Sequence, residues 1–179
     1  RFYQVDIRDK DELEKIFKQE APTAIIHFAA ESHVDQSIKN PNIFLETNVL
    51  GTGNLLALAK KYKINRFHQV STDEVYGALS LTDAPFTEET PLAPRNPYSA
   101  SKASADLLVN AYHETFVLNT VITRCGNNFG PRQDTTKVIP LFLTKLLKGE
   151  PVPLYGAGQQ VREWIYVDDH ARGIDLVFR

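Results

Sequence analysis

Methionine is absent from the 179 residues, cysteine occurs once, and no apolar run reaches the roughly 20 residues of a membrane helix. Without a methionine the chain shows no initiator residue, and residues 1–6 already have the pattern of a strand. We therefore expect an internal piece of a longer protein. The lone Cys125 excludes an internal disulfide, which favours a reducing, cytoplasmic compartment, and without a long apolar run we expect no membrane partner.

An excess of charge of either sign is also missing. The formal net charge is -2 and the pI is about 6.2, with basic residues scattered among acidic ones, so no nucleic-acid partner is expected. With 42% hydrophobic and 23% charged residues, the composition is that of a globular protein with a core. The histidine spacings match no ligand motif, and we predict no metal site; the positions are His27, His33, His68, His113 and His170.

Short β-rich runs alternate with longer helical patterns along the first two thirds of the chain. The predicted strands are 2–5, 24–28, 67–71 and 120–124, and the predicted helices are 10–19, 42–62 and 98–116. Asp9 is the predicted N-cap of the first helix, with Glu12 three residues later. This alternation predicts an α/β fold, a doubly wound parallel sheet of the Rossmann type.

The rhythm changes after Cys125, which we expect to be a small buried residue at the end of a strand. Residues 126–131 are predicted to be loop, 139–148 helix and 151–158 turns. Asp168 and Asp169 are expected to cap a final helix rather than to bind a cation. The long, proline-rich segment 72–97 follows a strand directly, and such loops carry chemistry in parallel α/β proteins.

Tyr98 and Lys102 lie four positions apart, so they project from one face of the predicted helix. A lysine cation beside a phenol favours the phenolate, which can act as a base near neutral pH. Alone, such a pair is more often a solvated helix face.

The triplet Thr72-Asp73-Glu74 leaves an apolar strand and places a hydroxyl and two acids at the same edge of the sheet. Two carboxyl groups can divide the duties of acid and base. The ordinary alternative is a turn whose acids cap the next element. Together with Tyr98 and Lys102, the triplet indicates an active site.

From end to end the chain resembles the dTDP-glucose 4,6-dehydratases of the extended short-chain dehydrogenase/reductase group. The matching stretches are residues 6–9, 27–35, 47–52, 71–77, 98–102, 127–131 and 162–169. The triplet at 72–74 is the specific one, because related epimerases and decarboxylases generally have other residues there. The resemblance implies an NAD-dependent lyase that dehydrates a nucleotide-activated hexose.

The resemblance also implies a role for each candidate. Tyr98 takes the proton of the sugar 4-hydroxyl while hydride leaves C4 for NAD, and Lys102 holds the nicotinamide ribose. Glu74 then removes the C5 proton as Asp73 protonates the departing C6 hydroxyl, and hydride returns to C6. Thr72 orients the 4-oxygen by a hydrogen bond.

The remaining candidates are binding residues by resemblance. For NAD they are Asp6, Ile7, Phe28, Ala29, Ala30, Glu31, Ser32, Thr47, Tyr98, Lys102 and Asn128. For the nucleotide sugar they are Ser32, Thr72, Asn127, Lys137, Val138, Ile139, Pro140, Leu141, Phe142, Pro153, Leu154, Tyr155 and Arg162. Arg162 can grip phosphate oxygens bidentately, or form an ordinary surface salt bridge. The expected division is 1–125, a partial NAD-binding domain; 126–165, substrate-binding segments; and 166–179, a helix returning to the core.

The family's Gly-x-x-Gly-x-x-Gly turn is missing from the sequence, so we expect it, with strands of the sheet, upstream of Arg1, and further substrate elements beyond Arg179. The isolated chain is then expected to be inactive and to bind NAD poorly, because pyrophosphate rests on that turn. Two other readings stay open: a sister epimerase or decarboxylase, and an inactive fragment that only binds or dimerises. A homodimer through the helices near 42–62 and 98–117 is implied by the resemblance.

Overall fold

The computed structural model describes residues 1–80, 82–154 and 156–179, and the chain divides into two compact units. The first unit is Arg1–Arg124 and the second is Cys125–Arg179. Among the residues described, no helix is both long and apolar enough to cross a bilayer.

The first unit is a small parallel-type sheet with helices packed on it. Its strands lie in the order β1-β2-β3, and β1 pairs parallel with β2, with Ala24 opposite Arg66 and His27 opposite Gln69. The predicted α/β architecture is confirmed. The elements are α1 (Lys10–Glu20), β1 (Ala24–His27), α2 (Val34–Lys39), α3 (Pro41–Phe44), α4 (Thr52–Lys61), β2 (Arg66–Thr72), α5 (Pro97–Phe116) and β3 (Thr120–Cys125).

The core of this unit lies between α1, α4, α5 and β2. Phe17, Leu56, Phe67 and Val109 from these four elements are buried in one hydrophobic cluster. Burying such side chains is the main driving force for packing the helices on the sheet. Asp9 caps α1 as predicted, because its carboxylate accepts from the Glu12 N–H at 3.0 Å.

Two predictions for the first unit are wrong. Residues 2–5 form no strand, because a strand needs a neighbour to supply its hydrogen-bond ladder and none is paired with them. In place of the single helix predicted at 42–62, the chain forms three consecutive elements: α3, a π-helical turn at Leu45–Gly51, and α4. Within this run the Thr52 hydroxyl donates to the Asn48 carbonyl at 2.7 Å, a side-chain contact that competes with the regular helix pattern. The short α2 carries too little periodicity to be predicted.

The second unit contains β4 (Asn127–Phe129), α6 (Val138–Leu147), β5 (Trp164–Tyr166) and α7 (Val167–Phe178), with β4 and β5 paired in parallel. The prediction of loop at 126–131 is therefore wrong, because a distant partner turns three of its residues into a strand. Cys125 is half-buried, not buried, and accepts from the Asn128 amide at 3.3 Å. Asp168 and Asp169 lie in the first turn of α7, but its N-cap residue is Tyr166.

Candidate active site

The carboxyl end of β2 leads directly into a single 3-10 turn, Asp73–Tyr76. The buried Thr72 hydroxyl donates to Asp73 Oδ1 at 3.2 Å and accepts from the Glu74 N–H at 3.3 Å. One hydroxyl thus fixes the first turn residue and the backbone of the second. Because the turn begins where a strand ends, both carboxyl groups lie at the edge of the sheet where parallel α/β proteins bind ligands.

Gly77 lets the chain leave this turn. Its φ is 100°, and a Cβ there would lie 2.7 Å from the carbonyl oxygen of Ala93. The returning segment is also bonded to the turn, since Ala93 N–H donates to the Val75 carbonyl at 2.9 Å. A side chain at position 77 would clash with Ala93 and push the turn and the returning segment apart.

The start of α5 is tied to the same turn by its N-cap. Asn96 Oδ1 accepts from the Ser99 N–H at 2.8 Å, and Asn96 N–H donates to Ser99 Oγ at 3.2 Å, which forms a capping box. The other end of the same amide donates to Glu74 Oε2 at 3.2 Å. Glu74 therefore lies beside the first turn of the helix that carries Tyr98.

Lys102 is anchored against the end of β2. Its side chain is only 5% exposed, and Nζ donates to the Val70 carbonyl at 2.8 Å, two residues before Thr72. One helical turn earlier, the half-buried Tyr98 ring lies edge-on to Phe44 with centroids 6.3 Å apart. The tyrosine, the lysine and the acidic turn thus belong to one end of the first unit.

The segment after β1 is held against α5 by a buried asparagine. Asn48 Oδ1 accepts from the Glu31 N–H at 2.8 Å, while its Nδ2 donates to the Glu31 carbonyl at 2.9 Å and to Ser101 Oγ at 2.8 Å. Phe28, Ala29 and Ser32 remain exposed along this segment, Ala30 and Glu31 are half-buried, and Thr47 is half-buried beside Asn48. The segment is fixed by its backbone, with side chains left accessible.

His27 is a neutral group behind the site. Burial, and after it the charge of Lys102, lowers the pKa of His27 to about 3. Its Nε2 lies 3.0 Å from Thr52 Oγ1, which itself donates to Asn48, so the imidazole is the donor in this pair. Because His27 is neutral, it places no positive charge beside Lys102.

Asp6 lines an open cleft together with Arg8, Glu46 and Asn54, and its chain neighbour Ile7 is half-buried. Arg8 donates to both carboxylate oxygens of Asp6, from Nη2 to Oδ2 at 2.7 Å and from Nε to Oδ1 at 3.1 Å. These hydrogen bonds lower the pKa of Asp6. Ile7 lies so close to Gly51 that a Cβ at 51 would be 2.6 Å from Ile7 Cδ1.

The second unit carries the other candidates. Asn127 Nδ2 donates to the Glu163 carbonyl at 3.2 Å, and Asn128 Nδ2 donates to the Gly126 carbonyl at 3.4 Å. Arg162 is exposed and donates to the neighbouring Val161 carbonyl at 2.8 Å. Lys137 is the N-cap residue of α6, whose first half supplies Val138, Ile139, Pro140, Leu141 and Phe142, and Pro153 and Leu154 follow further on. Tyr155 lies outside the described residues.

Comparison with known proteins identifies the family. The sequence matches the GDP-mannose 4,6 dehydratase family over residues 1–179. The chain belongs to this family. A dTDP-glucose 4,6-dehydratase of Neisseria gonorrhoeae is 50% identical over 182 residues, 97% of this chain and 53% of that protein.

Solved structures of the dehydratase and epimerase types agree with this fold. The dTDP-glucose 4,6-dehydratase DesIV of Streptomyces venezuelae, crystallised with NAD, is 52% identical with a TM-score of 0.95 over 99% of this chain and 54% of that one. A UDP-glucose 4-epimerase of Thermotoga maritima, with UDP-glucose, is 31% identical with a TM-score of 0.94 over 99% of this chain and 59% of that one. The chain spans about half the length of the relatives that it matches.

Two residues of this 4,6-dehydratase-family chain were missed from the sequence. Asn96 carried a usable signal, because an asparagine followed by proline at the first helical position is a helix start. Its contact with Glu74 had no local signal. Asn48 was inside a matched stretch, but only the fold shows that it joins the segment after β1 to α5.

Proposed function

We propose that this protein is an NAD-dependent lyase that converts dTDP-glucose to dTDP-4-keto-6-deoxyglucose. The observation that carries the proposal is the hydrogen bond from Asn96 to Glu74, which ties the acidic turn to the start of the helix bearing Tyr98 and Lys102. An enzyme that only epimerises C4 needs a base for the hydroxyl, but no acid and base pair for elimination. The names of the relatives at about 50% identity support the same activity.

The residues after β1 fit a dinucleotide. Phe28 offers an exposed apolar ring, 59% accessible, and the small side chains of Ala29 and Ala30 leave the backbone open to close approach. We assign Glu31, Ser32, Thr47, Lys102 and Tyr98 to the same cofactor, with Asp6 and Ile7 at its adenine end and Asn128 from the second unit. When bound, NAD supplies the acceptor and the donor of hydride.

The first step assigned to the chain's own residues is proton removal. Tyr98 Oη takes the proton of the sugar 4-hydroxyl as hydride leaves C4, which becomes a ketone. The Lys102 ammonium, held in place by the Val70 carbonyl, stabilises the phenolate before it accepts that proton. Thr72 orients the 4-oxygen.

The second step is elimination of water. The new ketone acidifies the C5 proton, and Glu74 removes it while Asp73 gives a proton to the departing C6 hydroxyl. The C6–O bond breaks, and a C5–C6 double bond forms. Hydride then adds to C6 and a proton returns to C5, so the product equals the substrate minus one molecule of water. Two carboxyl groups one residue apart can take these opposite duties.

The second unit supplies the proposed contacts to the rest of the substrate. Arg162 is exposed, and a guanidinium can hold two phosphate oxygens of a nucleoside diphosphate at once. Further contacts are assigned to Ser32 and Thr72 of the first unit and to Asn127, Lys137–Phe142, Pro153, Leu154 and Tyr155.

A homodimer and a cytoplasmic location complete the proposal. Leu50 and Leu107, from the helical runs at 41–61 and 97–116, are 63% and 59% exposed, which gives a second copy an apolar surface. Cys125 is the single cysteine of the sequence and forms no internal disulfide, which is compatible with a reducing compartment.

The test uses dTDP-glucose carrying deuterium at C4, incubated with the purified protein in its complete natural form and NAD. We expect a 4-keto-6-deoxy sugar with the deuterium at C6. Glu74→Gln, which keeps an oxygen for Asn96, should lower product formation by about 10²- to 10⁴-fold. A C4 epimer without loss of water would overturn the proposal in favour of an epimerase.

A further inference from the structure

A buried ion pair lies behind the candidate site. Asp106, on α5 one turn after Lys102, is completely buried, and Arg124 Nε on β3 donates to its Oδ2 at 2.9 Å. Burial raises the pKa of Asp106, and Arg124 opposes that rise. Taking two charges out of water costs several kcal/mol each, so such a pair contributes little net stability by itself.

The same guanidinium reaches the acidic turn. Arg124 Nη1 donates to the Tyr76 hydroxyl at 2.8 Å, and its central carbon lies 5.1 Å from the centroid of the Tyr76 ring. Tyr76 is the last residue of the turn that begins with Asp73 and Glu74. The ring also stacks on Phe86 with centroids 5.1 Å apart. The turn is thus fixed through one residue by β3, α5 and the loop at 77–96.

We infer that Arg124, with Asp106 and Tyr76, is a positioning device that holds the Asp73 and Glu74 carboxyl groups in register with Lys102 and Tyr98. Arg124 connects α5, the helix that carries Tyr98, to the turn that carries the two acids. Its planar guanidinium contacts Asp106 and Tyr76 at the same time. The same Asp106 carboxylate also interacts through its charge with the Lys102 ammonium one turn away, which helps to oppose the rise in its pKa. The inference rests on the proposed function, because it assigns these residues to the elimination step.

Tyr76→Phe is the sharpest variant, because it removes one hydroxyl and keeps the ring that packs on Phe86. Tyr62→Phe is its matched control: Tyr62 loses a hydrogen bond of 2.8 Å to Glu14, between α1 and the end of α4. Arg124→Lys keeps the charge and removes the fork. Each complete protein is assayed with dTDP-glucose for kcat, KM, the melting temperature and the fraction of cofactor present as NADH during turnover.

We expect Tyr76→Phe to lower kcat by about 10- to 100-fold, because a small displacement of an acid or base is costly, while KM is unchanged. NADH should build up during turnover, since oxidation at C4 continues while elimination slows. Arg124→Lys should show the same signature more strongly. Tyr62→Phe should match the unchanged protein in kcat and NADH.

A Tyr76→Phe protein with unchanged kcat overturns the inference, and so does a reduced kcat without build-up of NADH, which indicates general loss of structure. These outcomes leave the proposed function standing, because the unchanged protein still makes the dehydrated product. If the unchanged protein makes no such product, the proposed function fails, and the inference fails with it.

Discussion

The two units of the chain differ in which polar and apolar side chains they bury. In the first unit Lys102, Asp106, Asn48 and His27 are buried and each is held by a hydrogen bond or ion pair. Among the described residues of the second unit, Ile174 is the one buried hydrophobic side chain. The proposed chemistry thus lies on the unit with a dense interior, and most proposed substrate contacts lie on the unit with an open surface.

The proposed tasks of the two units make different demands on their side chains. A proton transfer depends on small distances, so its groups must be held by packing and by neighbours whose own positions are fixed. A buried polar group that loses its partner costs about 1–3 kcal/mol, which makes each such contact in the first unit strongly selective for one arrangement. Exposed side chains such as Arg162 carry no such constraint.

The largest effect should come from the core. Phe67→Ala removes a fully buried ring from β2, and we expect the free energy of unfolding to fall by about 3–5 kcal/mol. Leu143→Ala on α6, whose side chain is 57% exposed, should change it by less than about 0.5 kcal/mol. Urea unfolding of both variants makes the measurement. Equal losses would show that α6 is covered and that the contrast between the units is false.

The second effect is expected from His27 and depends on pH. Its pKa is about 3 in the folded chain against an ordinary value of 6.5, so the unfolded chain binds more protons between these values and stability falls as pH drops from about 6.5 towards 3. The slope from this one group is at most about 1.4 kcal/mol per pH unit. At pH above 6.5 both states are neutral and the contribution is constant.

His27→Gln keeps a donor for Thr52 and removes the titration. Its unfolding free energy, measured by denaturant at a series of pH values, should fall less steeply with acid than that of the unchanged protein. Identical slopes would mean that His27 is protonated or exposed in the fold, and that the polar interior of the first unit is less closed than its geometry indicates.

Local signals predicted most of the first unit and, in the second, its two helices but neither of its strands. The cap at Asp9, α1, α5 and the strands β1 to β3 were predicted within one or two residues, because each carries its own periodicity or capping residue. The three-residue strands β4 and β5 depend on each other and have no such signal. The resemblance named Glu74 and Tyr98, whereas the amide that joins their elements appears only once the chain is folded.

The smallest effect is expected at Asn96, whose helix cap has a local sequence signal and whose contact with Glu74 has none. Asn96→Ala removes both the cap and the contact with Glu74, and we expect the free energy of unfolding to fall by about 1 kcal/mol, together with a lower kcat. Asn96→Asp is the matched variant: it keeps an oxygen for the Ser99 N–H, so stability should be retained. It nevertheless replaces the donor to Glu74 by a second carboxylate, so kcat should still fall. Thermal unfolding and initial rates on both proteins make the comparison. If Asn96→Asp keeps full activity, then the amide serves only as a helix cap, and the acidic turn is held by Thr72 and Tyr76 without it.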